Sequence, residues 1–139
     1  MRRKGRNKKP LLSEPLKCVV LLSSDEENDC LLAEKKENKQ LNRVNEFVDS
    51  NNLIPMKIYR TGIFGRRESN EICKKAVRLM QAGKAEALVA VNLDAISYGI
   101  ADAYYKVGVV REAGFRLFTV DEKEPMLNIY APPKKKMEE

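Results

Sequence analysis

The sequence predicts an α/β domain. Its three layers are a mainly parallel sheet of four strands, with Leu127 to Tyr130 as a candidate fifth, and helices on both faces. Three observations predict it. Cys18, Val19, Val20, Leu21 and Leu22 form an unbroken apolar run, as in a strand buried on both faces of a parallel sheet. Further apolar runs alternate with polar segments of helical period, so strand and helix follow each other along the chain. Gly83 and Gly114 each stand just past a helical segment and just before a strand, where a left-handed helix cap belongs.

Residues 1–16 read as a basic flexible tail, with Pro10 and Pro15 discouraging regular structure. The body spans 17–124. Lys17 to Leu22 is the first strand, and the chain leaves it at Ser23-Ser24-Asp25. A helix follows from Asp29 to about Asp49, with Leu31 and Leu32 early and a stripe of Leu41, Val44, Phe47 and Val48 at spacings of three and four. Its charged middle, AEKKENKQ, predicts a surface position, and Asn51-Asn52 ends it. Leu53 to Tyr59 is the second strand, where Pro55 suggests either a sheet-edge position or a late strand start. After the loop RTGIFGRRESN, Ser69 or Asn70 can cap a helix with Ile72, Cys73, Ala76, Val77 and Met80 on one face. Ala87 to Val91 is the third strand. A helix from Ile100 to Ala113 turns Ile100, Ala103, Tyr104, Val107 and Val110 inward, and Phe115 to Val120 is the fourth strand. Residues 125–139 form a tail around the candidate fifth strand. Right-handed crossovers make this alternation a mainly parallel sheet.

A chain of 139 residues with 43% apolar content is one domain with a core of its own. The net charge of +6 equals the six cations of residues 1–9, namely Arg2, Arg3, Lys4, Arg6, Lys8 and Lys9, so the remainder is near neutral. Such an arm either neutralises nucleic-acid phosphates without reading sequence or is a solvated terminus. Three widely spaced cysteines and no histidine argue against a disulfide framework, a zinc site and any Ser-His or Cys-His nucleophile, and no cofactor is implied. No apolar run approaches a membrane span or a signal-peptide core, so a cytoplasmic, membrane-free location is expected.

Ligands of open α/β sheets bind outside the carboxyl ends of the strands. Four loops meet there: Ser23 to Glu26, Thr61 to Asn70, Asn92 to Gly99, and Asp121-Glu122. Ser23 or Ser24 can bind a phosphate or attack one, or else Ser23, Ser24 or Asp25 caps the first helix. Asp94 can orient a nucleophile or a metal, or serve with Ser97 as a turn and cap residue near Gly99. Arg66 and Arg67, with Arg60, can clamp a phosphate or stand in solvent.

The segments VVLLSSDEE, GIFGRRESN and Leu93-Asp94-Ala95-Ile96-Ser97-Tyr98, with Ala113-Gly114-Phe115 before the last strand, occur in a telling order. Over residues 17–124 the chain resembles the amino-terminal catalytic domain of the serine site-specific recombinases, the resolvase/invertase family. That resemblance implies a resolvase-like fold, DNA as partner, Ser23 as the nucleophile joining a DNA phosphate, and Asp94 as the active-site acid. It also exposes departures. The family's arginines fall on Leu21, Asn70, Ala95 and Tyr98, and losing even one transition-state arginine costs about a thousandfold or more. The family's long carboxyl-terminal helix and helix-turn-helix module have no counterpart in these 139 residues. The expectation is a catalytically impaired, DNA-associated binding or assembly module, as a homo-oligomer or with a protein partner. Two alternatives stand beside it, a strand-cleaving enzyme and a receiver-like signalling domain built on Asp25-Glu26, Asp94 and Lys123.

Overall fold

A computed structural model describes residues 10–24, 29–62, 68–97 and 100–125. The strands are β1 (Leu16–Leu22), β2 (Leu53–Arg60), β3 (Ala87–Ala90) and β4 (Arg116–Thr119). The helices are α1 (Cys30–Ser50), α2 (Ser69–Gln81) and α3 (Ile100–Glu112), and a 3-10 turn, Leu93–Ile96, follows β3. All pairings are parallel and the order is β2-β1-β3-β4. The predicted α/β class, four-stranded sheet and intervening helices are therefore observed; Leu127 to Tyr130 lies outside the described residues.

The central position of β1 explains its composition. Successive residues of a strand face opposite sides of the sheet, yet Cys18 to Leu22 are all 0% exposed, so both faces are covered there. The chain moves one way from β1 to β2 and then reverses through β3 to β4. With right-handed crossovers, that reversal places α1 on one face and α2 and α3 on the other. The core joins Val19, Leu21, Leu88, Leu117 and Phe118 of the sheet to Val44, Phe47 and Val48 of α1, Ala76 and Met80 of α2, and Val107 and Val110 of α3.

Helix ends follow their chemistry. Gly83 and Gly114 have φ of 83° and 91°, and each is followed by a six-to-one closing bond, from Lys84 N–H to the Leu79 carbonyl and from Phe115 N–H to the Val110 carbonyl. Asn52 takes the left-handed conformation (φ 62°) after α1, which ends where Asn51-Asn52 predicts. Pro55 does sit in an edge strand. The β2 register slips opposite Cys18 and Val19, and Ile54, Met56 and Ile58 remain exposed. Within the expected tail, Leu12 is buried in the core, its carbonyl bonded by Asn52.

Several expectations need correction. Asp29 caps α1 by accepting from Leu32 N–H at 3.1 Å, so neither Ser23 nor Ser24 is the cap. Asp29 stands immediately before the first helical residue, where a side-chain oxygen reaches the free amides of the first turn. Ser69 and Asn70 lie inside α2, after Glu68, which makes no side-chain cap bond. Tyr104, expected to face inward, is only half-buried. The charged middle of α1 is not wholly superficial, because Glu37 is buried.

Burial pushes the Cys18 thiol up to about 12, and it raises that of Cys73, where nearby Lys106 opposes the shift and Asp102 adds to it. Cys30 is exposed. Thiolate is the reactive form, so at neutral pH a disulfide reagent should modify one of the three cysteines in the native protein. The other two should react at the rate of unfolding. Absorbance of released thionitrobenzoate measures this, and rapid modification of all three would contradict the packing described.

Candidate active site at the strand ends

The reversal of chain direction makes the crevice between the carboxyl ends of β1 and β3 the topological switch point, the place where open α/β sheets bind ligands. Ser23 follows β1 and Ala95 lies in the turn after β3, so this crevice lies between them. Here it is stitched shut. The Ser23 hydroxyl donates to the Ala95 carbonyl, and Ser23 is 0% exposed.

A side chain of α1 holds the same residue by its backbone. Ser23 N–H donates to Gln40 Oε1 at 3.0 Å, and Gln40 Nε2 donates to the Ser23 carbonyl. One turn earlier Glu37 does the equivalent for the end of β2. Gly62 N–H donates to Glu37 Oε2 at 2.9 Å, the Thr61 hydroxyl donates to it at 3.3 Å, and Arg60 lies 3.6 Å from Oε1. Thr61 N–H in turn donates to the Leu22 carbonyl at 3.1 Å, tying the β2 end to the β1 end. Two polar residues on the inward face of α1 therefore fix two of the loops that a ligand would have to meet.

The β3 and β4 loops are closed by carboxylates. Asp121 accepts from Arg43 at 2.5 Å and from Asn92 at 3.2 Å, while Glu122 accepts from Leu93 N–H at 3.1 Å and from the Thr119 hydroxyl at 2.6 Å. Burial pushes the Asp121 carboxyl up. The hydrogen bonds from Arg43 and Asn92, with the charges of Arg43 and Lys123, outweigh that and hold it below the usual carboxylate range. Arg43 and Arg60 each already face a carboxylate, and a phosphate arriving here would meet Asp121, Glu122 and Glu37 among its neighbours.

Of the predicted residues, Ser23 and the Asp94 segment are brought together, since Ser23 bonds the residue next to Asp94. Their side chains differ in access: Ser23 and Ser24 are buried, whereas Asp94 is exposed. Leu21 and Ala95, which the resemblance sets against arginines, are both 0% exposed members of the core. Asn70 is exposed on α2. Arg2, Arg3, Lys4, Arg6, Lys8, Lys9, Arg66, Arg67, Asp25, Glu26 and Tyr98 lie outside the described residues. Lys123, the cation of the receiver-like alternative, donates to the Val120 carbonyl at 2.9 Å and lies 5.8 Å from the centre of the Phe47 ring. Among the described residues no group of histidine, cysteine and acidic side chains could hold a metal ion.

Glu37, Gln40 and Arg43 are not singled out by the sequence patterns. Yet Ala33, Glu37, Gln40, Val44 and Phe47 continue one stripe at spacings of four and three. Two polar residues on an otherwise inward stripe were the available signal.

No family model matches the sequence, and no curated protein matches it significantly. Solved structures do match. A resolvase family site-specific recombinase from Streptococcus pneumoniae superposes with a TM-score of 0.67 at 14% identity, covering 88% of this chain and 86% of the other. The N-terminal catalytic domain of TP901-1 integrase gives 0.64 at 13% identity, over 77% and 79%. The C-terminal catalytic domain of ISC1926 TnpA, an IS607-like serine recombinase, gives 0.57 at 9% identity, over 88% and 78%. The fold is that of a serine recombinase catalytic domain. At these identities the likeness is one of fold, and the strand-end chemistry rests on the residues themselves. Among the described residues no helix is long and apolar enough to cross a membrane.

Replacing Gln40 by leucine should cost about 1–3 kcal/mol in urea unfolding, because it leaves the buried Ser23 N–H and carbonyl without their side-chain partner. A loss below a few tenths would mean that the clamp contributes nothing.

Proposed function

We propose that this domain is a recombinase-fold module that associates with DNA and no longer cleaves it. The observation that supports the loss of cleavage is the Ser23 hydroxyl, fully buried and donating to the Ala95 carbonyl. A nucleophile must reach a phosphorus atom in line, and something must offset the charge that spreads over the phosphoryl oxygens. Exposing Ser23 requires breaking its bond to Ala95 and, for the backbone to follow, the pair of bonds to Gln40. At the family's arginine positions stand Leu21, Asn70 and Ala95, none of them cationic, and Tyr98 makes the fourth departure. Asp121 and Glu122 add negative charge to the same edge.

Association with DNA rests on the arm. Arg2, Arg3, Lys4, Arg6, Lys8 and Lys9 can each neutralise a phosphate, which supports salt-sensitive binding without sequence preference. Arg66 and Arg67 are further candidates in the loop after β2. DNA association and self-assembly are properties in keeping with the named neighbours, which are recombinases and an integrase. On this reading the body contributes shape and assembly while the arm contributes affinity.

The test is covalent trapping on supercoiled plasmid, followed by denaturation and electrophoresis, with Ser23→Ala in parallel. No protein–DNA adduct is expected from either protein, and an adduct lost in Ser23→Ala would overturn the proposed loss of cleavage. Plasmid retention should weaken with salt. Deleting residues 1–9 should lower the log–log salt slope by about 5, close to the value for six neutralised phosphates. An unchanged slope would remove the arm from the account.

A further inference from the structure

Between α2 and α3 lies a groove of about 480 Å³, within the size range of small-molecule sites. Cys73 and Val77 of α2 and Tyr105 and Val109 of α3 give it apolar walls. Its charges are unbalanced. Lys74 and Arg78 stand exposed on α2, Lys106 is on α3, and Asp102 is the acidic member among the described lining residues. Lys74 also lies 3.6 Å from the exposed Glu71, a surface pair that solvent screens.

Lys106 is the unusual member. Lysine is almost never fully buried without a partner, and this one is 3% exposed. Its ammonium is anchored by the Ile96 carbonyl at 2.7 Å and by Asp102 at 2.8 Å, so it forms a fixed ion pair at the groove and leaves the exposed Arg78 and Lys74 as the cations open to a ligand. Tyr105 remains 65% exposed, although its ring is large enough to cover a ligand. A neutral apolar ligand would leave the cations unused, and a cationic one would be repelled by them.

We propose that the groove binds a small amphiphilic carboxylate. Its apolar part lies between Val77 and Val109, and its carboxylate is held by Arg78 and Lys74 at the rim. Guanidinium and carboxylate match in geometry as well as charge. Nothing in the proposed DNA association uses this groove, so the two proposals stand or fall separately.

Isothermal titration of the full chain with octanoate, octanol and octyltrimethylammonium tests the assignment. Octanoate should bind at one site, octanol about tenfold more weakly, and the cation without saturation. Arg78→Glu, on the surface, should weaken octanoate about tenfold, since a repulsion replaces an attraction of similar size, and leave octanol unchanged. Val77→Trp should abolish both at an unchanged melting temperature. If that variant fails to fold, the Arg78→Glu comparison still decides. Equal affinities for octanoate and octanol would overturn the assignment, as would octanoate binding that survives Val77→Trp or is indifferent to Arg78→Glu. A dimer in sedimentation that Val77→Trp dissolves would also overturn it, making a second copy the occupant.

Discussion

The hydrogen bond from the Ser23 hydroxyl to the Ala95 carbonyl joins the ends of the two central strands where the chain reverses its direction across the sheet. In an open α/β sheet that junction is where a crevice forms, because the loops leaving its two sides run to helices on opposite faces. Here the crevice is filled by the protein's own contacts. Gln40 holds the Ser23 backbone from α1, Glu37 holds the end of β2, and Asn92, Asp121 and Arg43 link the β3 turn, the β4 loop and α1. Hydrogen-bond capacity that a ligand might use is spent internally.

This arrangement separates fold from chemistry. The fold, a parallel sheet with intervening helices, is that of a serine recombinase catalytic domain, as the superpositions show. Phosphoryl transfer needs fixed positive charge around the phosphate, whereas Leu21 and Ala95, at the strand ends beside Ser23, are part of the apolar core. An arginine at either position would bury a guanidinium without a partner, at a cost of several kcal/mol. The 3-10 turn is shared by two anchors. Its Ala95 carbonyl receives Ser23 and its Ile96 carbonyl receives the Lys106 ammonium, so the strand-end cluster and the α2–α3 groove meet on adjacent residues.

The fold was legible because its strongest signals are local and periodic. The run from Cys18 to Leu22 can be satisfied only by burial on both faces, and Gly83 and Gly114 mark helix ends through a backbone conformation that other residues resist. Pro55 marked the edge strand for the same kind of reason. The cap at Asp29 is not legible in the sequence, because Ser23, Ser24, Asp25 and Asp29 are all favourable caps, and only the true helix start chooses among them. The clamp by Gln40 was hidden because its partner is a backbone 17 residues away, a pairing that side-chain pattern does not encode. Ser23 and Asp94 were found by their position after strands, while the burial of one and the exposure of the other depend on packing across the sheet.

Amide hydrogen exchange at Ser23 tests the closed strand end most directly. If the clamp is as described, Ser23 N–H opens only with the whole sheet, and its opening free energy equals that of Val20 in the middle of β1 and that of urea unfolding. If Ser23 exchanges orders of magnitude faster than Val20 while β1 stays protected, the strand end opens locally. The serine would then be accessible, and the account of a closed, non-cleaving site would be wrong.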